Sequence, residues 1–128
     1  MKREILFRGK DKVTKRWVYG DYTHNEGLNT HYISRNVNNI SRKVWEVDPD
    51  TVGQYTEFKD KNGKKIFEGD IIESNGYKHL VTYNEKLAGF CAVNVKHPED
   101  LCGINQQWIN ECCKVVIGNM IDNPKLMK

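Results

Sequence analysis

At 128 residues, with 38% hydrophobic and 29% charged content, the chain is long enough to bury a core without a metal or disulfide staple and too apolar for wholesale disorder. A formal net charge of +3 is mild; nucleic-acid-binding proteins usually show a denser basic face, so the charge permits such a partner without arguing for one. No stretch approaches the ~20 apolar residues of a membrane span, and the apolar run Ile5-Leu6-Phe7 is far too short for a signal-peptide core, so a cytoplasmic protein is expected. In that setting the glycosylation-like triplet Asn39-Ile40-Ser41 is a chance match.

The pattern along the chain is one of short strands and frequent turns. Ile5–Phe7 reads as a first strand, Arg8–Arg16 as a charged loop or hairpin tip, and Trp17–Tyr22 as an alternating strand. Thr23–Thr30, with Asn25, Gly27 and Asn29, reads as a loop; His31–Ser34 is a brief strand and Arg35–Lys43 a polar connection. After Trp45–Asp48, the tetrad Asp48-Pro49-Asp50-Thr51 suits a turn or a one-turn helix, with Pro at a position where its missing N–H does no harm. Val52–Asp60 and Lys65–Phe67 are strands joined through Asn62-Gly63, a strong hairpin signal in which both central residues are expected at positive φ. Gly69-Asp70 turns the chain into Ile71–Glu73, and a second Asn-Gly step, Asn75-Gly76, leads into Tyr77–Tyr83. Phe90–Val95 is nearly continuous apolar and reads as a central strand buried on both faces. His97–Gly103 is a loop, Ile104–Asn110 a short helix, Lys114–Ile117 a closing strand, and 118–128 a polar tail. Nothing splits the chain by composition or repeat, so a single domain over residues 1–128 is expected.

Few residues point to chemistry. The four cysteines, Cys91, Cys102, Cys112 and Cys113, form no C-x-x-C pair and no familiar zinc spacing, so they read as reduced thiols; adjacent Cys112 and Cys113 would point to opposite faces of a strand. No metal and no cofactor is expected. His24, His31, His79 and His97 have no Ser or Cys beside them in a nucleophile motif, and there is no Gly-rich phosphate loop. Glu68 and Asp70 share a spacing used by acid–base pairs, yet Asp in a Gly-Asp turn more often bonds the local backbone. Trp17, Trp45 and Trp108 read as core or interface residues. The best binding candidates are Lys59, Lys61, Lys64 and Lys65 around the Asn62-Gly63 tip, with Tyr55 or Phe58 as a stacking face and Asp60 diluting the charge. Arg8, Lys10, Lys12, Lys15 and Arg16 form a second basic run with Asp11 inside it.

One segment carries a wider meaning. Val47-Asp48-Pro49-Asp50-Thr51-Val52-Gly53-Gln54-Tyr55-Thr56, followed by Lys59-Asp60-Lys61-Asn62-Gly63-Lys64-Lys65-Ile66-Phe67-Glu68-Gly69-Asp70-Ile71-Ile72, resembles the signature of the YopX family. Phe7-Arg8-Gly9-Lys10 with Trp17-Val18-Tyr19-Gly20, and Val116-Ile117-Gly118-Asn119 with Asn123-Pro124, resemble its two flanks. The resemblance implies a phage or prophage protein with a mainly β fold, an SH3-like small barrel with added strands or a short helix. It brings no catalytic residues. A non-enzymatic module that binds a protein, or another copy of itself, is therefore the expected function, and a nucleic-acid-binding SH3-like barrel is the alternative. The family usually has glycine where this chain has Glu57, so Glu57 is expected to adopt a left-handed or bulged conformation at a cost of ~1 kcal/mol, unless the bulge is absent.

Overall fold

The computed structural model describes residues 3–111 and 114–128. The expectation for Cys112 and Cys113 therefore lies outside the described residues. The chain is mainly β, arranged in antiparallel sheets, and it divides between Tyr55 and Thr56 into two compact units. No helix among the described residues is long and apolar enough to cross a membrane.

The first unit is built from β1 (Phe7–Asp11), β2 (Trp17–Asn25), β3 (Thr30–Asn36) and most of β4 (Arg42–Lys59). Consecutive strands pair antiparallel, and β4 pairs β3 as far as Glu46 before taking β1 as its partner from Val47 to Gln54. The pairings β1–β2–β3–β4–β1 thus form a closed cycle. Ile33 and Val47 are wholly buried, and Gly9 lies against Val47. Gly20 permits a close approach, because a Cβ there would lie 2.2 Å from the Ser34 carbonyl oxygen.

Sequence patterning misplaces several boundaries here. The first strand begins at Phe7, so Arg8–Asp11 of the expected charged loop is strand. The expected loop over Thr23–Thr30 shrinks to residues 26–29 because Asn25 closes it: its side-chain oxygen accepts the Leu28 N–H, and Asn25 pairs directly with Thr30. The Asp48–Thr51 turn exists but does not end the strand. Asp48 accepts the Asp50 N–H on its carboxylate and the Thr51 hydroxyl on its carbonyl, while Thr51 Oγ1 accepts the Lys10 N–H at 2.8 Å. The segment is a bulge where the β1–β4 register shifts between Arg8 and Lys10, and such bulges are where a strand tolerates proline.

The second unit starts with Thr56–Lys59 of β4, joined to β5 (Lys65–Phe67) by the Asn62-Gly63 hairpin. Its main sheet has the order β10-β6-β7-β8-β9, with β6 Asp70–Ser74, β7 Tyr77–Asn84, β8 Gly89–Asn94, β9 Leu101–Gly103 and β10 Val115–Asn119. A short helix α1, Gln106–Asn110, is capped by Asn105, whose side chain accepts the Trp108 N–H. A 3-10 turn covers Pro124–Met127 in the expected polar tail. The core joins Ile66, Ile72, Val81, Ala92, Ile104 and Ile109, with Phe58, Phe90, Cys102, Trp108 and Val116 packed around them. Cys91 and Ala92 are adjacent and both fully buried, so β8 is covered on both faces, as its unbroken apolar run predicts. The expected loop His97–Gly103 is corrected at its end. Leu101–Gly103 adds a three-residue edge strand along Cys91–Val93, too short for its own sequence to show a period of two.

Candidate binding surface

The lysine-bearing hairpin is organised by Asp60. Its N–H donates to the Lys64 carbonyl at 2.8 Å and its carbonyl accepts from Gly63 N–H at 3.0 Å. One carboxylate oxygen accepts the N–H groups of Asn62 and Lys64, at 2.8 and 2.9 Å. The other reaches Val116 in β10, accepting its N–H at 3.0 Å. Only Gly63 takes a positive φ in this turn, +81°, so the expectation that both central residues do so is corrected. The loop has three residues with a left-handed glycine at its end, a geometry that Asp at the first position favours. Far from merely diluting the basic patch, Asp60 is 6% exposed and anchors it.

Two further contacts fix the hairpin's flanks. Gln106 of α1 accepts the Lys59 N–H at 3.2 Å and donates to the Lys59 carbonyl at 2.8 Å. Lys61 N–H donates to the Lys114 carbonyl at 3.2 Å. Lys59, Lys61 and Lys64 are exposed and Lys65 is half-buried. The aromatic partners expected for them are not there. Tyr55 is 4% exposed and presents no open ring face, and Phe58 is half-buried against the core of the second unit. The hairpin therefore offers positive charge on a rigid backbone, without a stacking platform.

Beside it, Lys114 is 7% exposed. Its ammonium sits 4.2 Å from the Trp108 ring centroid and donates to the Glu111 carbonyl at 3.0 Å. The His79 ring stands nearly perpendicular to the Trp108 ring, with centroids 5.7 Å apart. Burial, and secondarily the Lys114 charge, hold the His79 pKa below its ordinary value. Sequence reasoning missed Gln106 and Lys114 as supports of the hairpin, since both act across distant chain positions. Asp60 had a readable signal: an Asp opening a turn that ends in Asn-Gly.

The other candidates resolve into structural roles. Asp70 is 1% exposed and accepts the Phe67 N–H at 2.7 Å, while Gly69, at φ +93°, donates to the Val81 carbonyl at 2.8 Å. The Gly-Asp corner therefore uses its carboxylate on the backbone, as the local reading expects. In the second basic run, the Arg8 guanidinium and Lys10 ammonium lie 4.6 and 5.4 Å from the Trp17 ring centroid, and Lys12 pairs with Glu46 at 2.9 Å. That hydrogen bond raises the Lys12 pKa. Asp11 accepts from Val13 N–H and the Thr14 hydroxyl, which lowers its carboxyl pKa. His24 and His31 stack at 4.1 Å, with the Tyr22 hydroxyl 2.6 Å from His31 Nδ1, and His97 lies 3.6 Å from Glu99. Burial pushes the Cys91 and Cys102 thiols up, away from thiolate reactivity. Among the described residues, no three His, Cys, Asp or Glu side chains are grouped to hold a metal.

Glu57 holds a φ of +77°. The positive-φ position implied by the family's glycine is present, occupied by a side chain that strains it.

The family described as "YopX protein" matches residues 6–128. No curated protein matches the chain. Among solved structures, protein EF1440 from Enterococcus faecalis is similar with a TM-score of 0.59 at 22% sequence identity, over 98% of this chain and 99% of that one. At that identity the likeness is one of fold.

Proposed function

The chain belongs to the YopX family, and on that premise we propose that it is a phage or prophage accessory protein, working in the cytoplasm of a bacterial host as a non-enzymatic module that binds a protein partner. One observation carries this reading. The hairpin 60–64 is held by the Asp60 carboxylate and fastened to α1 and β10, so Lys59, Lys61 and Lys64 are presented on a backbone that is already ordered. Preorganisation lowers the entropic cost of binding, and a compact positive knuckle complements an acidic protein surface. The mild net charge favours such a partner over a nucleic-acid tract. The family match runs through both units, which supports treating residues 1–128 as one working domain.

The decisive experiment is a pull-down from host lysate with the wild type and with Lys59→Glu/Lys61→Glu/Lys64→Glu, alongside light scattering on both. The expected result is a specific protein, or a second copy of the chain, retained by the wild type and released by the charge reversal with folding unchanged. A wild-type monomer that retains nothing overturns the reading.

A second reading is supported by the first unit. Its closed cycle of pairings is compatible with an SH3-like small barrel, and Lys10, 5.4 Å from the half-buried Trp17 ring, lies near the exposed Lys15 and Arg16 in sequence. Such a barrel binds nucleic acid through phosphate contacts. A gel shift that weakens steeply with salt would favour it, and no shift at about 50 mM salt would end it.

A further inference from the structure

Away from the lysine hairpin, the second unit holds an open pocket of about 160 Å³ lined by Gly76, Tyr77, Lys78, Asn94, Lys96, His97 and their neighbours Val95 and Lys128. Its walls are pinned by backbone bonds. On one side the Asn75-Gly76 turn, at φ +53° and +84°, delivers Tyr77 and Lys78 at the start of β7. On the other, the Asn94 side chain accepts the N–H groups of Lys96 and His97, at 2.9 and 3.1 Å. Val95 N–H donates to the Lys78 carbonyl at 3.0 Å and ties the two walls together.

The side chains of the lining are mostly basic. Three lysines and one histidine contribute to it, and no carboxylate side chain does. Two acids stand close to these bases from outside the lining, Glu99 at 3.6 Å from His97 Nδ1 and Glu73 directly across from Lys78 in the β6–β7 ladder, and neither contact places an acid against Lys96. Tyr77 is 64% exposed, so it adds an open aromatic face at the rim. The volume is well below the ~300–1,000 Å³ of a cleft that swallows a whole small molecule, so the pocket takes an anionic head group and leaves the rest of its ligand outside.

We propose that this pocket binds the phosphate of a nucleoside phosphate, with Lys78 and Lys96 on the phosphate oxygens and the base laid against the Tyr77 ring. Lysines supply charge-assisted hydrogen bonds to a phosphate, and an exposed tyrosine stacks any base without reading its edges. The site is separate from the hairpin 60–64 and does not depend on the protein-binding reading.

The test uses the full chain in phosphate-free buffer, titrated with ADP, inorganic phosphate or adenosine, while backbone amide resonances are followed by NMR. ADP should shift the amides of residues 76–78 and 94–97 saturably, with inorganic phosphate about tenfold weaker and adenosine weaker still. Tyr77→Ala should reduce ADP to the level of phosphate. Lys96→Gln should weaken both by about tenfold and Lys96→Glu by more, since the first removes a charged donor from an exposed side chain and the second also adds a repelling charge. No saturable shift at millimolar ADP overturns the site. Equal affinity for ADP and phosphate, or indifference to Tyr77→Ala, overturns the nucleoside assignment. Shifts elsewhere, or shifts that both Lys96 variants leave unchanged, overturn the pocket.

Discussion

Glu57 occupies a backbone conformation that an L side chain adopts reluctantly, at φ +77° in β4. Glycine pays no Cβ penalty there, so Glu57→Gly should stabilise the chain by about 1 kcal/mol. A rise in the urea midpoint with unchanged slope checks this, and a fall would show that the glutamate side chain contributes more than the strain removes. Asp60 is the opposite case, a residue the fold depends on. Asp60→Ala leaves the N–H groups of Asn62, Lys64 and Val116 without their acceptor and should cost about 3 kcal/mol in the same assay. These two residues also show what a sequence can display. The strain at Glu57 was legible as a departure from a family glycine. The local half of Asp60's role was legible from its turn. Its bond to Val116 was not, because nothing in either segment announces a partner 56 positions away.

At the scale of elements, a recurrent device shapes the hairpins. Asp11, Asn25 and Asn84 each open a four-residue loop by accepting a loop N–H on the side chain, and each loop ends on a residue at positive φ: Lys15, Asn29 and Ala88. Gly27 attracts notice in the sequence, yet Asn29 is the left-handed residue of its loop. This explains why patterning drew the loops too long. A non-glycine at the left-handed position hides the signal, so strand residues such as Thr23–Asn25 read as part of the turn. The two Asn-Gly steps diverge for a related reason. Asn75-Gly76 forms the expected two-residue turn, whereas Asp60 captures Asn62-Gly63 into a three-residue loop.

The contact of β7 with α1 makes a pH prediction. His79, against Trp108 and near Lys114, has its pKa lowered from 6.5 in the folded chain and regains its ordinary value on unfolding. The unfolded chain therefore binds the proton more readily, and the stability associated with a neutral His79 is complete above pH 6.5 and lost as the pH falls below it. His79→Gln should show a smaller drop in melting temperature between about pH 7.5 and about pH 5 than the wild type. Equal drops would show that His79 does not carry the effect.

Over the whole molecule, strands were more legible than surfaces. Periodicity and turn chemistry predict the mainly β character and locate β5, β6, β7 and β8 to within a residue or two. They also place the exposed lysines, because a turn tip must face water. They do not reveal what backs a surface: Tyr55 looked like a stacking ring and is buried, while Tyr77, unremarked in the same role, is open. The charge presented by Lys59, Lys61 and Lys64 is exposed and so is screened by ions. Partner retention through them should decline steadily as salt rises from low to physiological strength, and salt-independent retention would place the contact elsewhere.

The two Asn-Gly turns have a consequence for the ageing of the protein. Asparagine is among the thermolabile residues. When glycine follows it, the glycine backbone nitrogen can attack the side-chain amide carbon and expel ammonia, and water then opens the succinimide mostly to isoaspartate, which adds a backbone atom and a negative charge. At Asn62 the attacking nitrogen of Gly63 is held in a hydrogen bond to Asp60. Asn75 sits in a tight two-residue turn whose register sets the β6–β7 ladder. Peptide mapping after prolonged mildly alkaline storage should find isoaspartate at 75 when the turn opens transiently and spare 62 longer. The lesion at 75 would place an anion beside Tyr77 and Lys78, so old preparations would lose affinity for phosphate before they lose their fold.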